Sequence, residues 1–248
     1  AYEHATPLNN PPNDAEAVAA ALGRMGFQVH RVNDADIRQL TRELATFRQR
    51  SRQAEVAVLY YAGHAIQVEG RNYLVPVDAE VRELGDVSLS LVPLGAALQQ
   101  LQSEVNVIIL DACRDNPFEQ ELSRSATQQG RSLGSTRGLG RDESLLGGGT
   151  YLMMAAAPDA VALDGPPGGN SPFTAALLEY LEEPGLELSQ LHRQVRRTVE
   201  QRTQGAQSPE AIDRLPPRPV YLAGLSLEPS LGATTSVAPS PSDPQAPE

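Results

Sequence analysis

Two apolar runs anchor the sequence: Val56-Ala57-Val58-Leu59-Tyr60-Tyr61 and Val105-Asn106-Val107-Ile108-Ile109-Leu110. Both runs are rich in β-branched residues and almost free of polar ones, which predicts strands that are buried on both faces. Segments with helical spacing of apolar residues lie between and around them. Because strands alternate with helices, the sequence predicts an α/β fold with a mostly parallel sheet and helices on both faces.

Local signals predict the remaining elements. Caps, apolar spacing and terminal Gly or Pro predict helices over residues 13–25, 36–49, 93–102, 171–181 and 188–204, with Asn13 as the first N-cap. Period and composition predict strands over residues 27–32, 150–156 and 218–222. Two short apolar runs on either side of Glu69-Gly70 predict a hairpin.

The composition excludes several classes of protein. Lys and Arg together number 20, all of them Arg, against 31 acidic residues, so the 248-residue chain has a net charge of −11. This balance argues against nucleic-acid binding and favours basic partners or substrates. The absence of Lys excludes a Walker-A loop and Schiff-base chemistry. No apolar run is long enough to span a membrane.

The single cysteine, Cys113, excludes an internal disulfide framework and a multi-cysteine metal site. The four histidines have no metalloprotease spacing, so we expect no metal ligands and no cofactor in the chemistry. We favour a cytoplasmic location, and export stays an alternative because a segment before Ala1 would carry any leader.

Composition also divides the chain. Residues 1–223 are expected to form one domain, in which residues 114–149, rich in Gly, Ser and Arg, form a long mobile loop. Residues 224–248 are rich in Pro and Ser and are expected to form a linker or tail, through which further domains could be joined.

Reactive side chains follow both apolar runs. His64 lies just after the first run and Cys113 just after the second. In open α/β sheets, functional sites collect at the carboxyl ends of neighbouring strands, and a helical crossover brings two such ends together. A lone Cys is more often a small buried hydrophobe, but Cys113 is surrounded by charged residues. The pattern predicts a Cys/His catalytic pair.

The blocks around these two residues resemble a bacterial caspase-like peptidase of the orthocaspase or metacaspase type. The matching segments are Tyr60–His64, Gly70–Asp78 and Asp111–Phe118, with further matches at Asn13–Ala15, Asp164-Gly165 and Asn170–Thr174. The resemblance covers roughly residues 2–207 and implies the caspase-hemoglobinase fold, a three-layer sandwich. The first strand of that fold, which would precede Tyr2, has no counterpart in the sequence.

The resemblance implies a cysteine endopeptidase with Cys113 as the nucleophile and His64 as the general base and acid. It further implies that the backbone amides of Ala65 and Cys113 stabilise the oxyanion. The family usually has Gly after the His. We therefore expect the methyl group of Ala65 to lie at the oxyanion hole, and the backbone to lose freedom if that position needs a positive φ.

By the same resemblance, Asp14 and Asp111 would form the floor of the pocket for the substrate residue before the cleaved bond. Paired carboxylates there would bind Arg or Lys, so we expect protein or peptide substrates with basic residues. The simpler alternatives are that Asp14 stabilises a helix N-terminus and that Asp111 caps a loop. Asp115 and Asp164 are expected to form turns.

The sequence is compatible with alternatives for self-cleavage, Ca²⁺ activation and catalytic activity. Arg residues within 114–149 make self-cleavage in that loop an alternative to a solvated linker, and relatives leave Ca²⁺ activation open. A catalytically weak or inactive caspase-like scaffold is the first rival interpretation. A different α/β hydrolase or transferase that uses Cys113 is the second.

Overall fold

The structure is a computed structural model. It describes residues 2–98, 101, 103–113, 116–130, 147–157, 160 and 162–224, without the side chains of residues 96, 97 and 113. In this part of the chain the strands are β1 (Val56–Val68), β2 (Arg71–Leu74), β3 (Val92–Pro93), β4 (Val105–Cys113), β5 (Thr150–Met154) and β6 (Glu210–Arg214). The α-helices are α1 (Pro11–Arg24), α2 (Ile37–Ser51), α3 (Val87–Ser90), α4 (Leu94–Leu98), α5 (Glu119–Gln128), α6 (Pro172–Tyr180) and α7 (Leu188–Arg202).

The six strands form one mixed sheet in the order β3-β2-β1-β4-β5-β6. The central strands β1, β4 and β5 are parallel to one another, whereas β2, β3 and β6 extend the two sides in antiparallel fashion. Parallel strands are normally covered on both faces, which agrees with the apolar runs from which β1 and β4 were predicted. The predicted α/β class is confirmed.

One face of the sheet packs against α1, α6 and α7. The cluster includes Val107 and Ile109 of β4, Val18 of α1, Phe173 of α6 and Val195 of α7, and each of these side chains is at most 1% exposed. Burial of a large apolar side chain contributes about 1.5–3 kcal/mol. This packing therefore fixes α1 and α6 firmly over the centre of the sheet.

The opposite face is covered by α2 and α4. Ile108 and Leu110 of β4 lie there with Leu94 and Leu98, and the apolar stripe of α2 packs against them. A third cluster joins the β1–β2 hairpin to α3 and to α5. Helices on both faces make three layers, as the sequence predicted.

Both central strands extend past their predicted ends. The predicted strands end at Tyr61 and Leu110, but β1 continues to Val68 and β4 to Cys113 because their backbones remain paired. The predicted hairpin is confirmed: Val68 pairs with Arg71, and Glu69 and Gly70 both have positive φ, as in a type I′ turn.

Two predicted strands are wrong. Residues 27–32 form no strand, and no strand of the described residues pairs with them. Residues 218–222 form no strand either, and only Tyr221 makes a bridge, to Glu187. The last strand is instead β6, whose largely polar sequence carries little strand signal.

Three helical boundaries also differ. The first helix begins at Pro11, after Asn10 as N-cap, and not at Asn13. Two prolines fit the first turn because their missing N–H groups would have no helical partner there. Of the third predicted helix, the structure describes α4, Leu94–Leu98, and residues 99, 100 and 102 lie outside the described residues. The second helix begins at Ile37, after Asp36 as N-cap, and ends at Ser51; the side chain of Asp36 accepts a hydrogen bond from the amide of Gln39.

The segment 114–149 is not loop throughout. Helix α5 occupies Glu119–Gln128 and buries Leu122, Ser125 and Ala126, a spacing that makes only one short apolar stripe. This brevity explains why no sustained period was visible in the sequence. Residues 131–146 and the tail from 225 lie outside the described residues, so the predictions for them stay predictions.

Candidate active site

The parallel pairing of β1 with β4 brings the two reactive positions together. His64 and Cys113 are direct partners in the backbone register, at the last paired position of the two strands. Neighbouring strands are about 4.7–4.9 Å apart, so the two residues start from adjacent backbone sites. The side chain of Cys113 is outside the described part of the structure.

The imidazole of His64 is buried and held by a backbone carbonyl. Its exposed fraction is 2%, and Nε2 lies 2.7 Å from the carbonyl oxygen of Thr6. Because a carbonyl oxygen only accepts, Nε2 must carry the proton and donate it. In the neutral ring the lone pair is then on Nδ1, which is the atom that can act as a base.

The backbone N–H and the methyl group of Ala65, the residue after His64, point in different directions. Val75 donates its N–H to the carbonyl of His64, which therefore points to β2. The carbonyl of His64 and the N–H of Ala65 belong to one trans peptide group, in which they point in opposite directions, so the N–H of Ala65 points towards β4. The amide is thus on the side where Cys113 lies.

The methyl group of Ala65 is fully buried in the core beneath α2 and α4, with Ile108 and Leu110. Adjacent side chains of a strand point to opposite faces, so this methyl group lies across the sheet from His64. Its φ is not positive. The expected methyl group at the oxyanion hole and the expected backbone restriction are both absent here.

Asp111 lies in a pocket of hydroxyl groups beneath α6. Its Oδ2 accepts from Ser171 Oγ at 2.5 Å and from Thr174 Oγ1 at 2.6 Å, and Tyr60 lies 3.4 Å away. Burial raises the pKa of Asp111 to about 6, although these three hydroxyl groups oppose the shift. Asp111 does not cap a loop, because it lies within β4.

Asp14 lies on the first turn of α1 and points to the same place. Its Oδ1 accepts from the side-chain amide of Asn170 at 2.8 Å and from the backbone N–H of Ser171 at 3.0 Å. Burial, followed by the repulsion of Asp111, raises the pKa of Asp14 to about 7. Helix stabilisation alone would leave Asp14 in solvent, whereas it is 1% exposed.

Ser171 joins the two carboxyl groups, because its N–H binds Asp14 while its hydroxyl binds Asp111. Every donor named above reaches Oδ1 of Asp14 or Oδ2 of Asp111. The structure therefore brings Asp14 and Asp111, which the sequence singled out separately, to one buried site.

The sequence identified both acids but did not assign a role in this site to the residues that hold them. Tyr60 is predicted as part of a buried strand and Ser171 as a helix start. Both also lie in segments that resemble the family, Tyr60–His64 and Asn170–Thr174, and this resemblance is the signal that the sequence offers. Only the packing of α6 over β4 places its hydroxyl groups on Asp111.

Asp164 has a structural role that agrees with the turn expected there. Its carboxylate accepts from the backbone amides of Asn9 and Asn10, and the side chain of Asn10 bonds in return to the carbonyl of Pro166. These contacts tie the start of α1 to the loop before α6. Asp115 lies outside the described residues.

The described part of the chain has neither a cluster of metal ligands nor a membrane-spanning helix. There, no three or more His, Cys, Asp or Glu side chains group together as metal ligands would. No helix within these ranges combines the length and the apolar character needed to cross a bilayer.

Comparisons with known proteins identify the family and the fold. The family model described as the caspase domain matches residues 1–221. No curated protein matches the chain significantly. A crystal structure of a protein from Geobacter sulfurreducens is similar with a TM-score of 0.60 and 17% identity, over 87% of this chain and 88% of that one. At this identity the structural likeness supports the fold alone.

Proposed function

The chain belongs to the caspase domain family, whose members are cysteine peptidases, and from this premise we propose that it is an active cysteine endopeptidase. Cys113 is the nucleophile and His64 the general base and acid. The observation that carries this proposal is the register of β1 and β4, which makes these two residues direct neighbours. His64 and Cys113 are far apart in the sequence, so their proximity in the fold is a consequence of this strand pairing.

The proposed reaction uses the tautomer that Thr6 favours. Nδ1 of His64 takes the thiol proton of Cys113, and the thiolate sulfur forms a bond to the scissile carbonyl carbon. The negative oxygen is stabilised by the amides of Ala65 and Cys113. As the C–N bond breaks, His64 returns the proton to the leaving amine, and water then hydrolyses the thioester. The direction of the Ala65 amide supports this arrangement.

We also propose that the enzyme cleaves after Arg, or after Lys. The support is the pair Asp14 and Asp111, whose carboxyl groups are both buried and are joined by hydrogen bonds to Ser171, so that both are available to one cation. A planar guanidinium can donate to both at once, which favours Arg over the point charge of Lys. Acidic residues before the cleaved bond would be repelled by the same pair.

The proposal is tested with fluorogenic peptides that differ only at the residue before the cleaved bond: Arg, Lys, Gln or Asp. We expect cleavage in the order Arg, Lys, then Gln, with no cleavage after Asp and no cleavage by Cys113→Ala or His64→Ala. Assays with Ca²⁺ and with a chelator test the activation that relatives suggest. Folded protein that cleaves none of the peptides would support the scaffold interpretation instead.

Self-processing is a separate proposal for the segment 114–149. Arg124 lies within α5, where a peptide bond cannot adopt the extended form that a protease cleft needs, so cleavage is expected at Arg131, Arg137 or Arg141. Mass spectrometry of purified wild-type protein and Cys113→Ala decides it. Fragments in both proteins would mean that another protease makes the cut.

A further inference from the structure

Two tyrosine hydroxyl groups complete the backbone hydrogen bonds of His64. Its N–H donates to the hydroxyl oxygen of Tyr2 at 2.8 Å. Its carbonyl oxygen accepts from the hydroxyl of Tyr61 at 2.8 Å, and Val75 is a weaker acceptor of the same hydroxyl at 3.3 Å. Both peptide groups of His64 thus have a tyrosine partner.

The location of these bonds follows from the topology. On its open side β1 pairs with β2 only from residue 65 onward, and the last bond of that ladder runs from Val75 to the carbonyl of His64. The next group along this side is the N–H of His64, for which the described residues provide no strand partner. A buried N–H without an acceptor is costly, and the Tyr2 hydroxyl supplies the acceptor.

Gly63 lets both hydroxyl groups approach. A Cβ atom at this position would lie 2.6 Å from the Tyr2 hydroxyl and 2.9 Å from the Tyr61 hydroxyl. The aromatic ring of Tyr2 also contacts the imidazole of His64, with 4.5 Å between ring centroids. Tyr2 therefore contacts His64 at its backbone N–H and at its ring, and the Tyr61 hydroxyl contacts its backbone carbonyl.

We propose that Tyr2 and Tyr61 are positioning residues that fix His64 for proton transfer, an inference that rests on the peptidase function proposed above. The imidazole is oriented by two links to the segment before α1: Thr6 at Nε2 and Tyr2 at the amide and ring face. Loss of the Tyr2 hydroxyl frees the peptide to rotate. The imidazole then loses one of the contacts that fix the direction of Nδ1.

The test compares Tyr2→Phe and Tyr61→Phe with Tyr180→Phe. The control removes a half-buried hydroxyl that bonds to Thr198, between α6 and α7, away from His64. We expect kcat for the Arg peptide to fall about tenfold in Tyr2→Phe and less in Tyr61→Phe, with KM unchanged, because small misplacements of catalytic groups mainly slow chemistry. Tyr180→Phe should keep the wild-type kcat.

A second readout does not require peptidase activity. Nitrogen-15 spectra of the histidine rings, with His64 assigned through His64→Gln, should show the Nε2–H tautomer in wild type and in Tyr180→Phe. Tyr2→Phe should shift or broaden that signal. If the tautomer signal changes but wild type cleaves nothing, the peptidase proposal fails and the positioning holds. Unchanged kcat and unchanged spectra in both variants would overturn the positioning role.

Discussion

At the scale of single residues, the site depends on which face of the sheet each side chain occupies. His64 lies on the face of α1 and α6, where Asp14 and Asp111 also lie, whereas Ala65 faces the opposite core. The sequence identified the residues at these positions, because a short motif shows identity and spacing. It could not show that the methyl group of Ala65 points away, because the direction follows from the continuation of β1 through His64.

Ala65→Gly tests this placement. If the methyl group only fills the core, its removal lowers the free energy of unfolding by about 1 kcal/mol, from lost burial and added backbone freedom. The kcat for the Arg peptide should stay within about twofold of wild type, since the amide remains. Urea unfolding and steady-state kinetics on the same samples measure both. A large rise in kcat would mean that Ala65 does obstruct the oxyanion hole.

At the scale of elements, long apolar strands were predictable and their polar continuations were not. The runs that start β1 and β4 have a strong pattern, but Gly63-His64-Ala65 and Asp111-Ala112-Cys113 are ordinary loop compositions until pairing extends the ladder. The same limit explains β6, a polar strand that exists because it pairs with the edge of β5. A strand that forms only because it pairs with a neighbouring strand can be predicted only once that neighbour is known.

Gly63→Ala should disrupt the continuation of β1. Its φ is +153°, and the new Cβ would lie 2.6 Å from the Tyr2 hydroxyl. Strain and overpacking of this kind cost about 1–3 kcal/mol. We expect the melting temperature to fall and the kcat for the Arg peptide to fall with it.

Gly23→Ala is the matched control for that variant, since a Cβ at Gly23 meets nothing within 4 Å and the residue has no positive φ. It lies in α1, where Ala is favoured over Gly, so its melting temperature should rise slightly. Equal changes in the melting temperature of Gly63→Ala and Gly23→Ala would contradict the close approach of the two tyrosine hydroxyl groups to Gly63.

At the scale of the whole molecule, the carboxyl pair links stability to pH. The pKa of Asp14 is raised from 3.8 to about 7 and that of Asp111 from 3.8 to about 6, in both cases first by burial. Between pH 4 and pH 7 the folded protein therefore holds protons that the unfolded chain has released. By linkage, these two groups make the free energy of unfolding fall as the pH rises through this window.

Asp14→Asn should reduce the decrease in the free energy of unfolding between pH 4 and pH 7. Its Oδ1 can still accept from Asn170 and Ser171, so the variant should be more stable than wild type at pH 8 by about 1–3 kcal/mol, with little difference at pH 4. Urea unfolding at several pH values measures this.

Glu16→Gln is the control, because Glu16 is an exposed residue of the same helix and its ion pair with Arg31 contributes little. If the free energy of unfolding of Asp14→Asn depends on pH as that of wild type does, then charging both carboxyl groups does not destabilise the folded protein. A gain in stability that accompanies a loss of cleavage after Arg would instead mean that the fold tolerates an unfavourable charge pair for the sake of its substrate.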